Sequence, residues 1–499
     1  MTPNIVYILA DDLGYGDPGC NNSASAIPTP NIDRLAANGI RFTDAHAGSS
    51  VCTPSRYALL TGRYGWRSRL KRRVLWEWDG SLIEEERRTV ADLLRENGYG
   101  TACIGKWHLG WDWALKDGSH ANDHVTRGER APDLRYQLGM NVDYAAPVDG
   151  GPVDRGFDSY FGVDVPNFPP YTWFEDNRLT QVPTVEKPDH LFGNAGPSIP
   201  GWSHEAMIPE FTRRAVSYIE SQSALERPFF LYFALTSPHT PVVPNDRFMG
   251  MSRAGKYGDF VCEVDWVVGQ VMDALDRSGL TEDTLFVFTS DNGPERESSD
   301  EIGVWERIRQ HGHYSMGGLR GIKRDVWEGG HRVPFIARWP AVAPAGAVCS
   351  ELIGLGDFMA TCAEFLASPL GPGEAEDSVS IMPILRGAVD TPVRNCAVHH
   401  SASGKFAIRA RVPGHSGDWV LIDSPSGTDN LEPDWFRAER GYEAHNESRE
   451  LFNLSEDIVE RCNLYRAEPE IARELGAMLD RAKSEAGTSA TCSEGEVTE

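Results

Sequence analysis

Residues 4–17 read NIVYILADDLGYGD, a strand-sized segment over 4–10, apolar from Ile5 onward, that stops at two adjacent carboxylates, Asp11 and Asp12. A short run with no polar alternation predicts a strand buried on both faces, as in the interior of a parallel sheet. Similar runs occur at 100–105, 229–235, 285–289 and 333–338, and amphipathic helical patterns separate them at 32–37, 89–96, 210–221 and 257–275. This alternation predicts an α/β fold, a large mainly parallel β-sheet flanked by helices.

In open sheets of this kind ligands collect beyond the carboxyl ends of the strands. The polar clusters fall there: Asp11 and Asp12 after the first strand, Lys106 and His108 after the second, His239 after the third, Asp291 and Asn292 after the fourth. Residues 114–201, rich in Gly, Pro, Asp and aromatics, read as long loops that shape a pocket. From about Thr391 the pattern changes to short extended pieces at 397–400, 406–411, 419–422 and 451–453, then an amphipathic helix at 469–484. We therefore expect a catalytic domain over 1–390 and a C-terminal subdomain over 391–499, with a small antiparallel sheet, a terminal helix and an acidic tail.

Composition narrows the function. The 499 residues carry a net charge of −25, whose field repels phosphate backbones and argues against nucleic-acid binding. Six basic residues between 63 and 73 (Arg63, Arg67, Arg69, Lys71, Arg72, Arg73) form either a local anion-attracting patch or a solvated loop. No apolar run reaches the length of a membrane span. The N-terminus lacks the charged, apolar and cleavage regions of a signal peptide, so the expectation is a cytoplasmic protein as written, or a periplasmic or extracellular one if a leader was trimmed. The nine cysteines include no C-x-x-C pair, and most are expected to be buried thiols.

Asp11, Asp12, Asp291 and Asn292 together offer three carboxylates and an amide oxygen. That hard oxygen set suits Ca²⁺, with Mg²⁺ the alternative, and does not suit zinc. Taken singly, either pair reads as a turn or a helix cap. Cys52 precedes the helical pattern of CTPSRYALLTGR (52–63) and so lies near a helix N-terminus, where exposed amides favour negative charge.

CTPSRYALLTGR resembles the signature of the formylglycine-dependent (type I) sulfatases of the alkaline phosphatase superfamily, in which the cysteine of C-x-P-S-R is oxidised to Cα-formylglycine. The resemblance extends through TPNIDRLAANGIRF (29–42), IGKWHLG (104–110), SPHTP (237–241), FTSDNGP (288–294), LRGIKRDVWEGGHRVPFIARWP (319–340) and ELFNLSEDIVERCNL (450–464). It implies an alkaline-phosphatase-like fold and a Ca²⁺ site from Asp11, Asp12, Asp291 and Asn292. It also implies a formylglycine from Cys52, made by a formylglycine-generating maturase. Arg56 would support the aldehyde hydrate, Lys106 and Lys323 would face the sulfate, and His108 and His239 would be the base and the acid. The family's further serine near the hydrate has no clear counterpart. His311 and His313 are weaker candidates for substrate contact, and Trp107, Trp111, Trp113 and Trp173 are either a sugar-stacking platform or core.

The chemistry agrees with the resemblance. Sulfate ester cleavage requires a nucleophile, stabilisation of the non-bridging oxygens and a proton for the leaving alcohol. A hydrated aldehyde offers two hydroxyls on one carbon, one to attack sulfur and one to expel sulfate afterwards, whereas a serine would be left sulfated. The expected function is hydrolysis of sulfate monoesters, of a sulfated carbohydrate by preference. Two other readings share the residues: a phosphate or phosphonate monoester hydrolase, and a sulfated-glycan-binding protein without turnover.

Overall fold

The computed structural model describes residues 2–296 and 303–488. A ten-stranded sheet runs through the larger part of the chain, with Asn4–Asp11 between Phe229–Pro238 and Thr284–Ser290. Gly100–Lys106 follows Phe229–Pro238, and these four strands are parallel. Every residue in them is buried, which is why their sequences show no polar alternation.

Successive side chains enter opposite cores. Ile5, Tyr7 and Leu9 pack with the helices Cys52–Thr61, Val90–Glu96 and Asp357–Leu366. Val6, Ile8 and Ala10 pack with Pro30–Ala37, Met207–Gln222 and Gly255–Arg277. The strands leave no room for a side chain at Gly105. Its φ is +107°, and a Cβ there would meet the carbonyl oxygen of Ala234 at 1.8 Å, so no side chain fits.

The sheet departs from the expected pattern in two places. The strand expected at 333–338 is Phe335–Arg338, and it runs antiparallel to Thr284–Ser290, because the chain returns to the sheet through a one-turn helix, Glu328–His331, and not through a full crossover. The stretch 114–201 is also more ordered than its composition suggests. It holds the helix Pro132–Asn141 and the strand Ser159–Val163, which extends the parallel ladder beside Gly100–Lys106. That strand reads SYFGV, too short and too glycine-interrupted to register as an apolar run.

Beyond the large sheet, Cys396–His400, Phe406–Ala410, Trp419–Ile422 and Glu450–Asn453 form a separate four-stranded antiparallel sheet. One face packs on the helix Pro469–Ser484 through Ile471, Leu475 and Leu479. The other packs on Val326 and Trp327. The expected acidic tail falls outside the described residues. Among the described residues no helix is long and apolar enough to cross a membrane.

Four of the six basic residues at 63–73 are engaged, and Arg72 and Arg73 are exposed. Arg67 pairs with Asp377 and Arg63 with Glu376, while Arg69 and Lys71 donate to backbone carbonyls. Six of the described cysteines besides Cys52 are free thiols, and Cys396 is disulfide-bonded.

Candidate active site

Asp11 ends the central strand, and Asp12 turns back at once with φ +66°. Asp291 and Asn292 leave the neighbouring strand at the same level: the Asp12 amide donates to Asp291 Oδ1 at 3.2 Å, and Asn292 Nδ2 donates to Asp12 Oδ1 at 2.7 Å. Cys52 is the first residue of its helix and sits at the mouth of this group, with Sγ 3.7 Å from Asp11 Oδ1. Ligand atoms of Asp11, Asp12, Cys52 and Asp291 all lie within 4.8 Å of one another, and all four residues are buried.

Three cations balance the three carboxylates. Lys106 Nζ is 2.6 Å from Asp11 Oδ2, Lys323 Nζ is 2.7 Å from Asp12 Oδ2, and Arg56 Nη2 is 2.8 Å from Asp291 Oδ2. Removing one member would strand its partner's charge away from water, a change that costs about 3–5 kcal/mol. Burial and the nearby Asp11 carboxylate push Asp291 up to about 6. Burial also acts on Asp12, but Lys323 and His239 outweigh it and hold that carboxyl below its ordinary range.

The donor set fits a hard divalent cation. Asn292 Oδ1 is buried and accepts no hydrogen bond, although the amide nitrogen of the same side chain is engaged. An orphaned amide oxygen beside three convergent carboxylates is the oxygen-only environment that Ca²⁺ or Mg²⁺ takes. Cys52 does not behave as an ordinary thiolate nucleophile. Burial pushes its thiol up to about 12 in spite of Lys106 and Lys323, so an unmodified side chain stays protonated at neutral pH.

The two histidines differ in which nitrogen is available. His108, held with φ +56°, places Nε2 3.1 Å from the Leu75 carbonyl. A carbonyl only accepts, so Nε2 carries the proton and Nδ1, which has no partner, presents a lone pair. His239 Nδ1 donates to the Thr240 carbonyl at 2.6 Å and turns Nε2 toward Asp12 Oδ2, 3.8 Å away. Burial and Lys323 hold His239 down to about 3, and burial with Lys106 depresses His108 as well. Both rings are neutral in the free protein.

His313 lies elsewhere. It is fully buried, its Nε2 is 2.7 Å from Asp17 Oδ1, and its Nδ1 accepts from the Ala26 amide, so both nitrogens serve the loop after Asp12. His311 is exposed at the end of the helix Val304–His311. Trp107, Trp111 and Trp113 are core residues, and Trp173 packs against Trp202 and Phe161.

Sequence reasoning missed three supporting groups. Glu295 bridges Lys323, at 3.4 Å, and Arg324. Asp164 accepts from the His108 amide and from Trp111. The Leu75 carbonyl fixes the His108 proton. Only Glu295 carried a signal, as the first acidic residue after the Asp291 block.

A central parallel sheet with a buried carboxylate cage and Cys52 at its carboxyl edge is the arrangement expected of a hydrolase of the alkaline phosphatase superfamily. The family profile for sulfatases matches residues 3–367. An N-acetylgalactosamine-6-O-sulfatase of Bacteroides thetaiotaomicron is 35% identical over 97% of this chain and 93% of its own length. Human arylsulfatase A is 34% identical over 93% of this chain and 83% of its own. A solved structure from work on the metabolism of multiple glycosaminoglycans by Bacteroides thetaiotaomicron superposes with a TM-score of 0.79 at 31% identity, covering 97% of this chain and all of that one. The chain belongs to the sulfatase family and is a sulfuric ester hydrolase.

Proposed function

We propose that the protein hydrolyses the sulfate monoester of a sulfated saccharide, with Cα-formylglycine made from Cys52 by a host maturase and with Ca²⁺ held by Asp11, Asp12, Asp291 and Asn292. The observation that carries this reading is the position of Cys52 Sγ, 3.7 Å from a carboxylate oxygen of the cage. When present, the ion supplies Lewis-acid stabilisation of developing negative charge. The hydrated aldehyde supplies two hydroxyls on one carbon.

The remaining work falls to the chain's own residues. Each ammonium has three donors, so Lys106 and Lys323 keep N–H groups for sulfate oxygens while still paired with Asp11 and Asp12. Such fixed, buried charges are usually the largest single contribution to catalysis. Arg56 orients Asp291 through two contacts, from Nε at 3.0 Å and Nη2 at 2.8 Å. His108 has the bare Nδ1 that a base requires. His239 is the acid for the leaving alcohol, and the negative charge of a bound sulfate raises it from its low free value so that Nε2 carries the proton.

The sugar is placed in a cavity of about 450 Å³ lined by Glu77, Trp78, Arg130, Arg135, Tyr136 and Asn194. Arg130 links it toward the site, since it lies over the Trp76 ring, which stacks on Phe168, which stands edge-on to His108. The named activity of the Bacteroides relative, on a 6-O-sulfated amino sugar, supports a saccharide substrate.

Mass spectrometry of the peptide containing Cys52, paired with sulfate release from a panel of saccharides, tests the proposal. We expect the aldehyde mass together with release from at least one glycan. Full turnover by a chain retaining the thiol, or much faster hydrolysis of a matched phosphate ester, would overturn it.

A further inference from the structure

A second buried polar cluster lies apart from the site described above, at the seam between the two sheets. His46 comes from the short strand Ala45–His46, Glu328 and His331 from the one-turn helix Glu328–His331, and His399 from the first strand of the antiparallel sheet. One ligand atom from each lies within 4.8 Å of all the others, and every one of these residues is buried. Glu328 and His331 are three residues apart and so project from one face of the helix.

The hydrogen bonds do not satisfy these groups. His331 Nε2 is 3.0 Å from the Val326 carbonyl, which only accepts, so that nitrogen carries the proton and Nδ1 is bare. His46 Nε2 is 2.8 Å from Asp44 Oδ1, which likewise takes a proton from the ring. The two Nδ1 atoms then face each other at 2.9 Å, lone pair against lone pair unless a proton or a cation lies between them. In the other arrangement His46 Nε2 accepts from Arg409, 3.1 Å away, and Nδ1 donates to His331. That relieves the pair but not the rest: neither nitrogen of His399 has a hydrogen-bond partner, nor does Glu328 Oε1. His399 lies flat against His331, with ring centroids 3.8 Å apart, so an ion in the plane of one ring lies outside the plane of the other, and His399 must turn about its Cβ–Cγ bond to share it. Buried polar atoms left unpaired in this way are destabilising.

We infer that His46, His331, His399 and Glu328 form a second metal site, distinct from the oxygen cage, that takes a borderline transition-metal dication of the Zn²⁺ class. Three imidazoles and one carboxylate match the closed, four-coordinate ligand set of that ion and would be a poor set for Ca²⁺. Charge is compatible. Asp44, Glu328 and Asp418 are balanced by only two guanidiniums, Arg332 and Arg409, which pair with Glu328 Oε2 at 2.9 Å and with Asp44 and Asp418. Binding replaces the proton between the two Nδ1 atoms and releases it to solvent. A cavity of about 20 Å³ touching His46 and His399 leaves room for one water.

The site's place in the fold suggests its use. It ties strand Cys396–His400 to strand Ala45–His46 and the helix Glu328–His331 just before the segment leading to Cys52, which hangs on the same helix and strand: the Ala47 amide donates to the His331 carbonyl at 2.8 Å, and the Ser50 amide to the His400 carbonyl at 3.0 Å. A metal there stiffens the approach to position 52 without touching substrate.

The test uses the full chain with Cys52→Ala, so that the thiol cannot ligate. After chelation, the protein is dialysed with excess Ca²⁺ and either Zn²⁺ or Co²⁺, and bound metal is measured by elemental analysis and by the visible absorption of Co²⁺. We expect about one transition-metal ion per chain, a rise in Tm on loading, and loss of both in His399→Ala and in the milder Glu328→Gln. Circular dichroism of the metal-free proteins separates loss of ligand from loss of fold. If the parent retains no Co²⁺ in excess Ca²⁺, or if folded His399→Ala retains as much as the parent, the cluster is a proton-sharing network and the inference fails.

Discussion

The molecule contains two buried polar islands that solve the same problem with opposite chemistry. At the carboxyl edge of the large sheet, Asp11, Asp12 and Asp291 converge and are neutralised by Lys106, Lys323 and Arg56. At the seam, His46, His331 and His399 converge with one free carboxylate oxygen, and the nearest guanidiniums are occupied by Asp44, Asp418 and Glu328 Oε2. The first island holds its cations buried and fixed against the carboxylates at the carboxyl edge of the sheet. The second is buried between the four-stranded sheet, strand Ala45–His46 and the helix Glu328–His331. The contrast teaches that acidic residues at strand ends make a reactive centre only when counter-charges with spare donors surround them, whereas imidazoles between layers make a fastening.

The largest effects that sharpen this contrast belong to position 52. Cys52→Ala is expected to abolish multiple turnover, lowering kcat by more than the roughly 10²–10³ of a single electrostatic donor. Cys52→Ser should manage at most a single turnover, checked by stoichiometric product formation against enzyme concentration. Neither change should alter metal retention at the histidine cluster. If either does, the two islands are coupled and the distinction drawn here is wrong.

Lys323→Ala comes next. Its ammonium is 2.7 Å from Asp12 Oδ2 and 3.4 Å from Glu295, so its loss removes a sulfate-facing charge and leaves a buried carboxylate unpaired. We expect kcat to fall about 10²–10³-fold. Denaturant unfolding should also show destabilisation of about 3–5 kcal/mol, with Ca²⁺ restoring part of the stability but not the rate. Restoration of both would reduce Lys323 to a counter-charge.

A third test uses pH. Burial holds His331 and His239 at about 3 and His400 at about 4, against about 6.5 in an unfolded chain. The unfolded state therefore binds more protons in this window. The stability these rings contribute is complete above about 6.5 and is lost as pH falls toward 3. Urea midpoints measured from pH 7 to 4 should decline by an amount worth about 3 kcal/mol for each ring, and Zn²⁺ should flatten the decline, because metal competes with protons for His331 but not for His400. A slope untouched by Zn²⁺ would break the comparison.

The two islands also differ in how far the sequence revealed them. Strand ends are legible: an apolar run that stops at Asp11-Asp12 or at Asp291-Asn292 carries its own signal, and those residues, with Cys52, Lys106 and Lys323, converge in space. The seam cluster was not legible. Its ligands are a strand residue, a one-turn helix and a strand of the other sheet, and no spacing links His46 to His399. His313 taught the reverse lesson. It lies in a polar segment near the Lys323 block, yet its ring holds Asp17 and the Ala26 amide, because sequence proximity to a site does not determine which way a ring points. The strand Ser159–Val163 was missed for a related reason: Gly162 lets it press against Gly105 and removes the apolar signal at the same time.

The smallest expected effect probes the rim. Arg130 lines the 450 Å³ cavity with Glu77 and Tyr136 and lies over the Trp76 ring at 5.5 Å, two stacked rings away from His108. It touches neither the oxygen cage nor the base, so Arg130→Ala should leave kcat unchanged. On a sulfated saccharide it should raise KM several-fold, consistent with the roughly 1 kcal/mol of a partly exposed cation–π and hydrogen-bonding contact. On a small aryl sulfate, which has no sugar to fill the cavity, KM should not move. Uniform binding lost from one part of the substrate appears in KM alone, so a matched fall in kcat on both substrates would place Arg130 in the support of the reacting centre and would leave the cavity without a role in choosing the sugar.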